Sequence, residues 1–137
     1  MSHEIVRDPI FLSVKSEPAE KSDIPLGMEL IQALQENSGK CVGMAANMIG
    51  VRKRIIAINT GKGFFALMFN PVIIEKSGLY DSQEGCLSLD GVRNTKRYRD
   101  ITVEYTDLRW KKLTKKFSGL EAQIIQHEMD HLEGILV

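Results

Sequence analysis

The chain has no long apolar run and no excess of charge of either sign, and these absences exclude several classes of function. No apolar stretch reaches the ~18 residues of a membrane helix. The first residues lack the basic head and apolar stretch of a secretory signal. The 18 Lys and Arg residues balance the 18 Asp and Glu residues, so bulk charge gives no support for binding to nucleic acid or a membrane surface. We therefore expect a cytoplasmic protein with no membrane partner and no direct nucleic-acid partner.

Cysteine and histidine are also scarce, at two and three residues in 137. In a cytoplasmic chain, Cys41 and Cys86 are more often metal ligands, nucleophiles or core residues than partners in a disulfide. The length suits one compact domain over residues 1–137 rather than two domains. The sequence carries no signal for an oligomeric state.

Helical and strand patterns occupy separate parts of the chain. The spacing of Met28, Ile31 and Leu34 predicts an amphipathic helix that closes near Gly39. The basic stretch 109–116 predicts a hairpin turn and a solvated return strand rather than a polyanion site. Four further segments predict strands by their composition or alternation: "RIIAIN", "FFALMFN", "NPVIIEKSG" and "DITVEYTD". This arrangement indicates the α+β class.

The last predicted helix carries the most informative motif, "HEMDH", at 127–131. Ser118 followed three residues later by Glu121 predicts a capping box at the start of this helix. Gly134 suits a left-handed residue just past its end. The motif is therefore expected to lie on a helix rather than in a loop.

Two histidines four residues apart project from one face of a helix, and this spacing allows them to bind one metal ion. Leu120 and Ile124 fall on the same face, which we therefore expect to point inward. Glu128 lies about 100° round the helix, where it can act as a general base beside a metal without being a ligand. The alternative is that His127 and His131 are ordinary core or surface residues. That alternative is weakened because the motif uses two of only three histidines.

A catalytic metal site of this kind needs a third protein ligand and an open position. Glu133 follows the motif but points about 200° away from His131 on the same helix, so the third ligand must come from upstream. The candidates are His3, Cys41, Cys86 and several carboxylates. Cys86, in "QEGCLSLDG", together with two imidazoles would suit a borderline-soft metal such as Zn²⁺ or Fe²⁺. Cys41 lies among small residues and is expected in the core.

Three motifs, taken in order, resemble the signature motifs of the peptide deformylases. They are "CVGMAANMIG" at 41–50, "EGCLS" at 84–88 and "QHEMDHLEG" at 126–134, and the resemblance covers nearly the whole chain. It implies an α+β fold with antiparallel sheets around a central helix that carries the HExxH motif. It also implies a metal-dependent hydrolase that removes the N-formyl group from the formyl-methionine terminus of nascent polypeptides. The partners that the resemblance implies are the formylated N-termini of nascent peptides, met at the ribosome.

The resemblance also implies roles for individual residues. Cys86, His127 and His131 would hold one divalent metal, Fe²⁺ by preference, with Zn²⁺, Ni²⁺ or Co²⁺ as replacements. Glu128 would carry a proton from water to the departing amine. The backbone N–H of Leu87 would donate to the formyl oxygen as charge develops there. The residues implied in substrate binding are Val42, Gly43, Met48, Leu87 and Ile124.

The chain departs from the family pattern at Met48, where the first motif normally has glutamine. A thioether cannot donate a hydrogen bond, and losing one oxyanion donor costs ~10²–10³ in rate. Asn47 is a candidate replacement, and Gln123, at an often apolar pocket position, is expected to alter substrate choice. Glu84 and Arg93 match positions expected to pair and brace the site.

Two functions therefore remain open from the sequence. The first is a working deformylase that is a short and divergent member of the family. The second is a metal-binding, deformylase-like protein with weak or no deformylase activity that binds a peptide or another ligand.

Overall fold

A computed structural model of the protein describes residues 5–39, 41–59, 65–86 and 89–136. These residues form three α-helices and five β-strands, so the predicted α+β class is confirmed. The helices are α1 (Pro9–Leu12), α2 (Ile24–Glu36) and α3 (Gly119–Leu132). The strands are β1 (Gly43–Ala45), β2 (Ile55–Asn59), β3 (Phe65–Cys86), β4 (Leu89–Thr106) and β5 (Lys112–Ser118). Short 3₁₀ turns at Lys21–Asp23 and Ala46–Ile49 precede α2 and follow β1.

The five strands form one antiparallel sheet in the order β1-β2-β3-β4-β5. Each strand therefore pairs with its neighbours in sequence, which needs only hairpin connections. β3 and β4 form a long hairpin that runs from Phe69 opposite Thr106 to Cys86 opposite Leu89. The predicted hairpin and return strand after residue 107 are confirmed by β5, which pairs with β4. β1 and β5 are the two edges of the sheet.

Strand β3 passes through a point where the sequence predicts a break. Asn70 has a φ of 53° and the β3–β4 register shifts between Phe69 and Val72, so Asn70–Pro71 forms an irregularity inside one strand. Asparagine tolerates this left-handed conformation better than most residues. Its side chain is held at both ends by the backbone of Ala19, at 2.7 and 2.9 Å. The two predicted strands on either side are therefore one continuous strand.

The core lies between the sheet and helices α2 and α3. The amphipathic helix predicted there is confirmed as α2, which buries Leu30, Ala33 and Leu34. The predicted apolar face is wrong at Met28, which is 49% exposed. Helix α3 buries Ile125 and Leu132 completely, and each such side chain contributes about 1.5–3 kcal/mol relative to exposure. Among the described helices, none has the length and apolar character that a membrane span requires.

The ends of α3 differ in how well the sequence predicts them. Ser118 occupies the N-cap position, but no described residue forms a capping hydrogen bond with its side chain, so the capping box with Glu121 is wrong. Ser118 is instead the last residue of β5, and the chain turns into the helix at Gly119, where φ is +60°. That conformation favours glycine. At the other end, Gly134 has a φ of 76°, as predicted.

Candidate metal centre and cavity

The HExxH motif lies on the buried side of α3. His127 and His131 are both buried, and Ile124, one turn earlier, is buried with them. The sequence also predicts that Leu120 points inward with these residues, and this is wrong, because Leu120 is 65% exposed. Leu120 belongs to the first turn of α3, where it lines the mouth of a cavity instead of the core.

Three side-chain donors converge at this face of the helix. The last residue of β3, Cys86, places its Sγ 3.2 Å from His131 Nε2, and His131 Nε2 lies 3.2 Å from His127 Nε2. All three ligand atoms lie within 4.8 Å of one another. Two imidazole nitrogens bound tetrahedrally at ~2.0–2.1 Å from one zinc-sized ion are about 3.3 Å apart. The observed spacing therefore fits a shared divalent metal.

Glu84 holds His127 in the orientation that this site needs. The Nδ1 of His127 lies 2.7 Å from Glu84 Oε1, and because a carboxylate only accepts, Nδ1 carries the proton and Nε2 is left for a ligand. Burial alone would raise the pKa of Glu84. Hydrogen bonds from His127 and Arg97 outweigh it and lower that pKa to about 2.

The ion-pair partner of Glu84 is Arg97, so the predicted partner Arg93 is wrong. Arg97 Nη2 lies 2.7 Å from Glu84 Oε1, and Arg97 Nη1 lies 2.7 Å from Asp130 Oδ2 on α3. Arg93 is the residue directly opposite Glu84 in the β3–β4 ladder. Arg97, four residues further along β4, is on the same face and reaches back to Glu84. Arg97 and Asp130 were missed by the sequence reasoning, although strand alternation marks Arg97 as an equal candidate.

The two histidines have opposite electrostatic environments. Burial and the nearby positive charge of His127 lower the pKa of His131 to about 3, so His131 is neutral. Burial would also lower the pKa of His127, but its hydrogen bonds to Cys86 and Glu84 raise it to about 10. Because a metal ligand must be deprotonated, a metal bound here would displace the extra proton of His127.

Glu128 lies beside the three donors and is not one of them. Its side chain is buried, and burial raises its pKa to about 7. Among the described residues, no hydrogen-bond partner lies within reach of its Oε1. Buried polar atoms are normally paired, and this oxygen is one of four buried side-chain atoms among the described residues that are not.

A cavity of about 790 Å³ opens onto Cys86, His127 and Glu128. Of the predicted substrate-binding residues, four line it: Val42, Gly43, Met48 and Ile124. The fifth, Leu87, lies outside the described residues, as does His3. Cys41 packs against the hydrophobic core, as expected, but it is only partly buried and also lines the cavity. Burial, followed by the charge of Glu128, raises the pKa of the Cys41 thiol to about 11.

Met48 and Asn47 occupy fixed positions next to this cavity. Met48 is 1% exposed, and its sulfur accepts a hydrogen bond from the Ala45 N–H at 3.4 Å. Asn47 is fully buried, and its Nδ2 donates to the backbone carbonyl of His131 at 2.9 Å. The Asn47 amide is thus engaged in anchoring α3, which argues against its replacing the missing glutamine.

Comparisons with known proteins agree on one family. The family model described as polypeptide deformylase matches residues 3–137. A peptide deformylase of Clostridium beijerinckii is 50% identical over 137 residues, which is the whole of both chains. A peptide deformylase structure from Thermotoga maritima has a TM-score of 0.87 and 26% identity, covering 99% of this chain and 95% of that chain. A Met-Ala-Ser-bound class I type b peptide deformylase from Acinetobacter baumannii has a TM-score of 0.88 and 26% identity, with 99% and 97% covered.

Proposed function

This chain belongs to the polypeptide deformylase family, and from that premise we propose that it removes the N-formyl group from the formyl-methionine terminus of nascent polypeptides. The observation that carries the proposal is the convergence of Cys86, His127 and His131 beside the buried Glu128, at one side of an open cavity. Removing a formyl group is amide hydrolysis. It needs an activated water, a polarised carbonyl and a proton for the leaving amine.

We assign Cys86, His127 and His131 as the ligands of one divalent metal. A metal bound there supplies Lewis acidity to the formyl oxygen and lowers the pKa of water. One thiolate and two imidazoles suit Fe²⁺, Zn²⁺, Co²⁺ or Ni²⁺ better than the hard cations Mg²⁺ and Ca²⁺. We propose Fe²⁺ as the native metal. Glu84 fixes the ring of His127 through Nδ1, which supports the ligand geometry.

Glu128 is the proposed general base and acid. Its raised pKa, about 7, lies near neutral pH, where one group can both accept a proton and return it. The Glu128 carboxylate, which lines the cavity, would take a proton from water and deliver it to the departing amine.

The cavity is the proposed site for the first residue of the substrate. Val42, Met48 and Ile124 give it apolar walls, which suit a methionine side chain. Gly43, on the edge strand β1, is placed to bind the following backbone in extended form, and the Leu87 N–H is the proposed oxyanion donor. A relative from Acinetobacter baumannii binds Met-Ala-Ser, which supports a peptide in this cavity.

Several broader features belong to the same proposal. We propose a single domain over residues 1–137, acting in the cytoplasm on formylated chains at or near the ribosome. Direct nucleic-acid binding is not part of the proposal, because the 18 basic and 18 acidic residues balance.

A deformylase-like protein that binds metal with little turnover is the second candidate. Met48 favours it, since the thioether offers no donor to a developing oxyanion. The two candidates share the metal site and differ in turnover, so one assay separates them.

The test is release of formate from formyl-Met-Ala by protein loaded anaerobically with Fe²⁺ or Ni²⁺. We expect turnover that falls at least ~10²-fold in Glu128→Gln, which keeps the shape but removes the base. Glu128→Gln should keep its metal, whereas Cys86→Ser should lose it and Cys41→Ser, as the matched thiol control, should retain it. A metal-loaded parent without turnover would favour the second candidate.

A further inference from the structure

Gln123 lies between the cavity and the carboxylate that holds His127, and the proposed mechanism gives it no role. It stands one helical turn before His127 on α3, is half-buried and lines the cavity. Its amide faces β3, where Tyr80, Ser82 and Glu84 alternate along one face of the strand. This uncharged polar side chain therefore contacts the cavity on one side and Glu84, which orients His127, on the other.

The amide nitrogen of Gln123 donates twice to this face of β3. Its Nε2 lies 3.1 Å from Ser82 Oγ and 3.0 Å from Glu84 Oε2. Ser82 Oγ in turn donates to Glu84 Oε2 at 2.9 Å. The amide oxygen of Gln123 has only a long contact, 3.5 Å, with the Tyr80 hydroxyl.

The two oxygens of Glu84 are therefore held from two sides. Oε1 accepts from His127 Nδ1, and Oε2 accepts from Gln123 and Ser82. Arg97 contacts both oxygens, at 2.7 to 3.1 Å, and is also shared with Asp130. A carboxylate fixed at Oε2 cannot rotate Oε1 away from His127 without breaking these bonds.

We propose that Gln123 is a positioning residue that holds Glu84, and through it the His127 ring, and that it links this support to the filling of the cavity by the substrate's first side chain. Among the described donors to Glu84 other than His127, Gln123 alone also lines the cavity. A side chain packed against its amide limits the motion of that amide and so of Glu84. The proposal rests on the proposed function for its substrate part, and on the geometry of the metal centre for its positioning part.

The experiment compares the parent with Gln123→Met, an unbranched residue of similar size that has no donor. The first readout is the metal site: the rate at which Co²⁺-loaded protein loses its metal to EDTA, and its visible absorption spectrum. The second readout is catalysis: kcat and KM for formyl-Met-Ala. Replacing a group that orients a ligand typically costs 10–100-fold in metal affinity or activity. We expect ~10-fold faster Co²⁺ loss, an altered Co²⁺ spectrum and a ~10-fold lower kcat, with a smaller change in KM.

Gln35→Met is the matched control, because Gln35 is exposed on α2 and is not among the residues that line the cavity. It should leave both readouts unchanged. Ser82→Ala removes a second donor to Glu84 Oε2 without altering the cavity wall, and should speed Co²⁺ loss in the same direction. It keeps the positioning step testable if Gln123→Met does not fold.

A double-mutant cycle with Glu84→Gln shows whether Gln123 acts through Glu84. If it does, Gln123→Met has little further effect on Co²⁺ loss in the Glu84→Gln background. Fully additive effects, or a Gln123→Met protein with the parent's Co²⁺ loss and spectrum, would overturn the proposal. If the parent shows no turnover while Gln123→Met still speeds Co²⁺ loss, the proposed function fails and the positioning role stands.

Discussion

Met48 is the residue at which this chain departs most from the pattern of its own motif. The side chain is buried at the cavity wall, and its sulfur accepts the Ala45 N–H. Asn47 beside it is committed to the carbonyl of His131. A donor to the substrate oxygen is therefore missing from the position where the motif normally places one, and the neighbouring Asn47 does not line the cavity.

Replacing Met48 by Gln should restore that donor. The exchange is unbranched for unbranched and nearly conserves volume, so the core should tolerate it. An N–H that acts mainly on the developing oxyanion raises kcat more than it lowers KM. We expect a gain of at least ~10-fold, about 1.4 kcal/mol, in kcat for formyl-Met-Ala.

Met28→Gln is the control for this exchange, because Met28 is 49% exposed on α2. It should leave kcat unchanged. If Met48→Gln folds, binds metal and turns over no faster than the parent, the missing amide does not limit the reaction.

The ligand residues could be predicted from the sequence, but the residues that support them could not be chosen uniquely. His127 and His131 follow from helical spacing, and the structure brings Cys86 to them. The partner of Glu84 was assigned to Arg93, whereas the structure gives Arg97. Both arginines lie on the same face of β4, so alternation does not separate them. Only the paths of the side chains in three dimensions decide which one reaches the carboxylate.

At the scale of elements, the site depends on the close approach of β1 to α3. Gly43 is the first residue of β1 and lies against the face of α3 that carries Ile124 and Glu128. A Cβ at Gly43 would lie 2.6 Å from Ile124 Cγ2 and 3.1 Å from Glu128 Oε2. The missing side chain allows the strand to pack directly on the helix beside the catalytic carboxylate.

Gly43→Ala should therefore damage both packing and catalysis. Forcing a methyl group into a filled site costs about 1–3 kcal/mol, and the displacement falls on Ile124 and Glu128. We expect a lower free energy of unfolding by urea denaturation and a loss of turnover larger than the loss of metal. Gly39→Ala, whose Cβ would meet nothing within 4 Å, is the stability control. An unfolding free energy equal to the parent's would show that β1 and α3 separate easily.

The elements themselves followed from periodicity more reliably than their boundaries. Helix α2 lies where apolar spacing placed it, and strands β2 and β5 lie where composition and the predicted hairpin placed them. The division of β3 at Asn70–Pro71 was wrong, because a distant contact with Ala19 stabilises the irregular residue within the strand. The capping box at Ser118 was wrong because Gly119 turns the chain with a positive φ. Both errors arise from tertiary or backbone features that a local pattern does not contain.

At the scale of the whole molecule, the proposed metal joins the two parts of the fold. Cys86 ends β3 in the sheet, while His127 and His131 belong to α3. A metal held by all three would link sheet and helix in the native state only. Ligand binding of that kind adds its binding free energy to the stability of the folded protein.

Removal of the metal should lower the melting temperature. A metal present at 1,000 times its Kd stabilises by about 4 kcal/mol, which for a domain of this size corresponds to roughly 10 °C or more. Differential scanning calorimetry of the metal-loaded protein with and without EDTA measures this. Cys86→Ser is the control and should show little response to EDTA. A parent whose melting temperature is the same in both conditions would argue against a metal shared by helix and sheet.

The position of β1 at the edge of the sheet has a consequence for which proteins can be processed. A sheet edge presents amide and carbonyl groups, and these match the main chain of any protein whatever its side chains. A polypeptide bound along β1 would thus be recognised by its side chain at the first residue, inside the cavity, and by its backbone alone at the residues that follow. Such a division suits an enzyme whose substrates begin alike and then differ without limit: it would be strict about how a protein starts and indifferent to which protein it is.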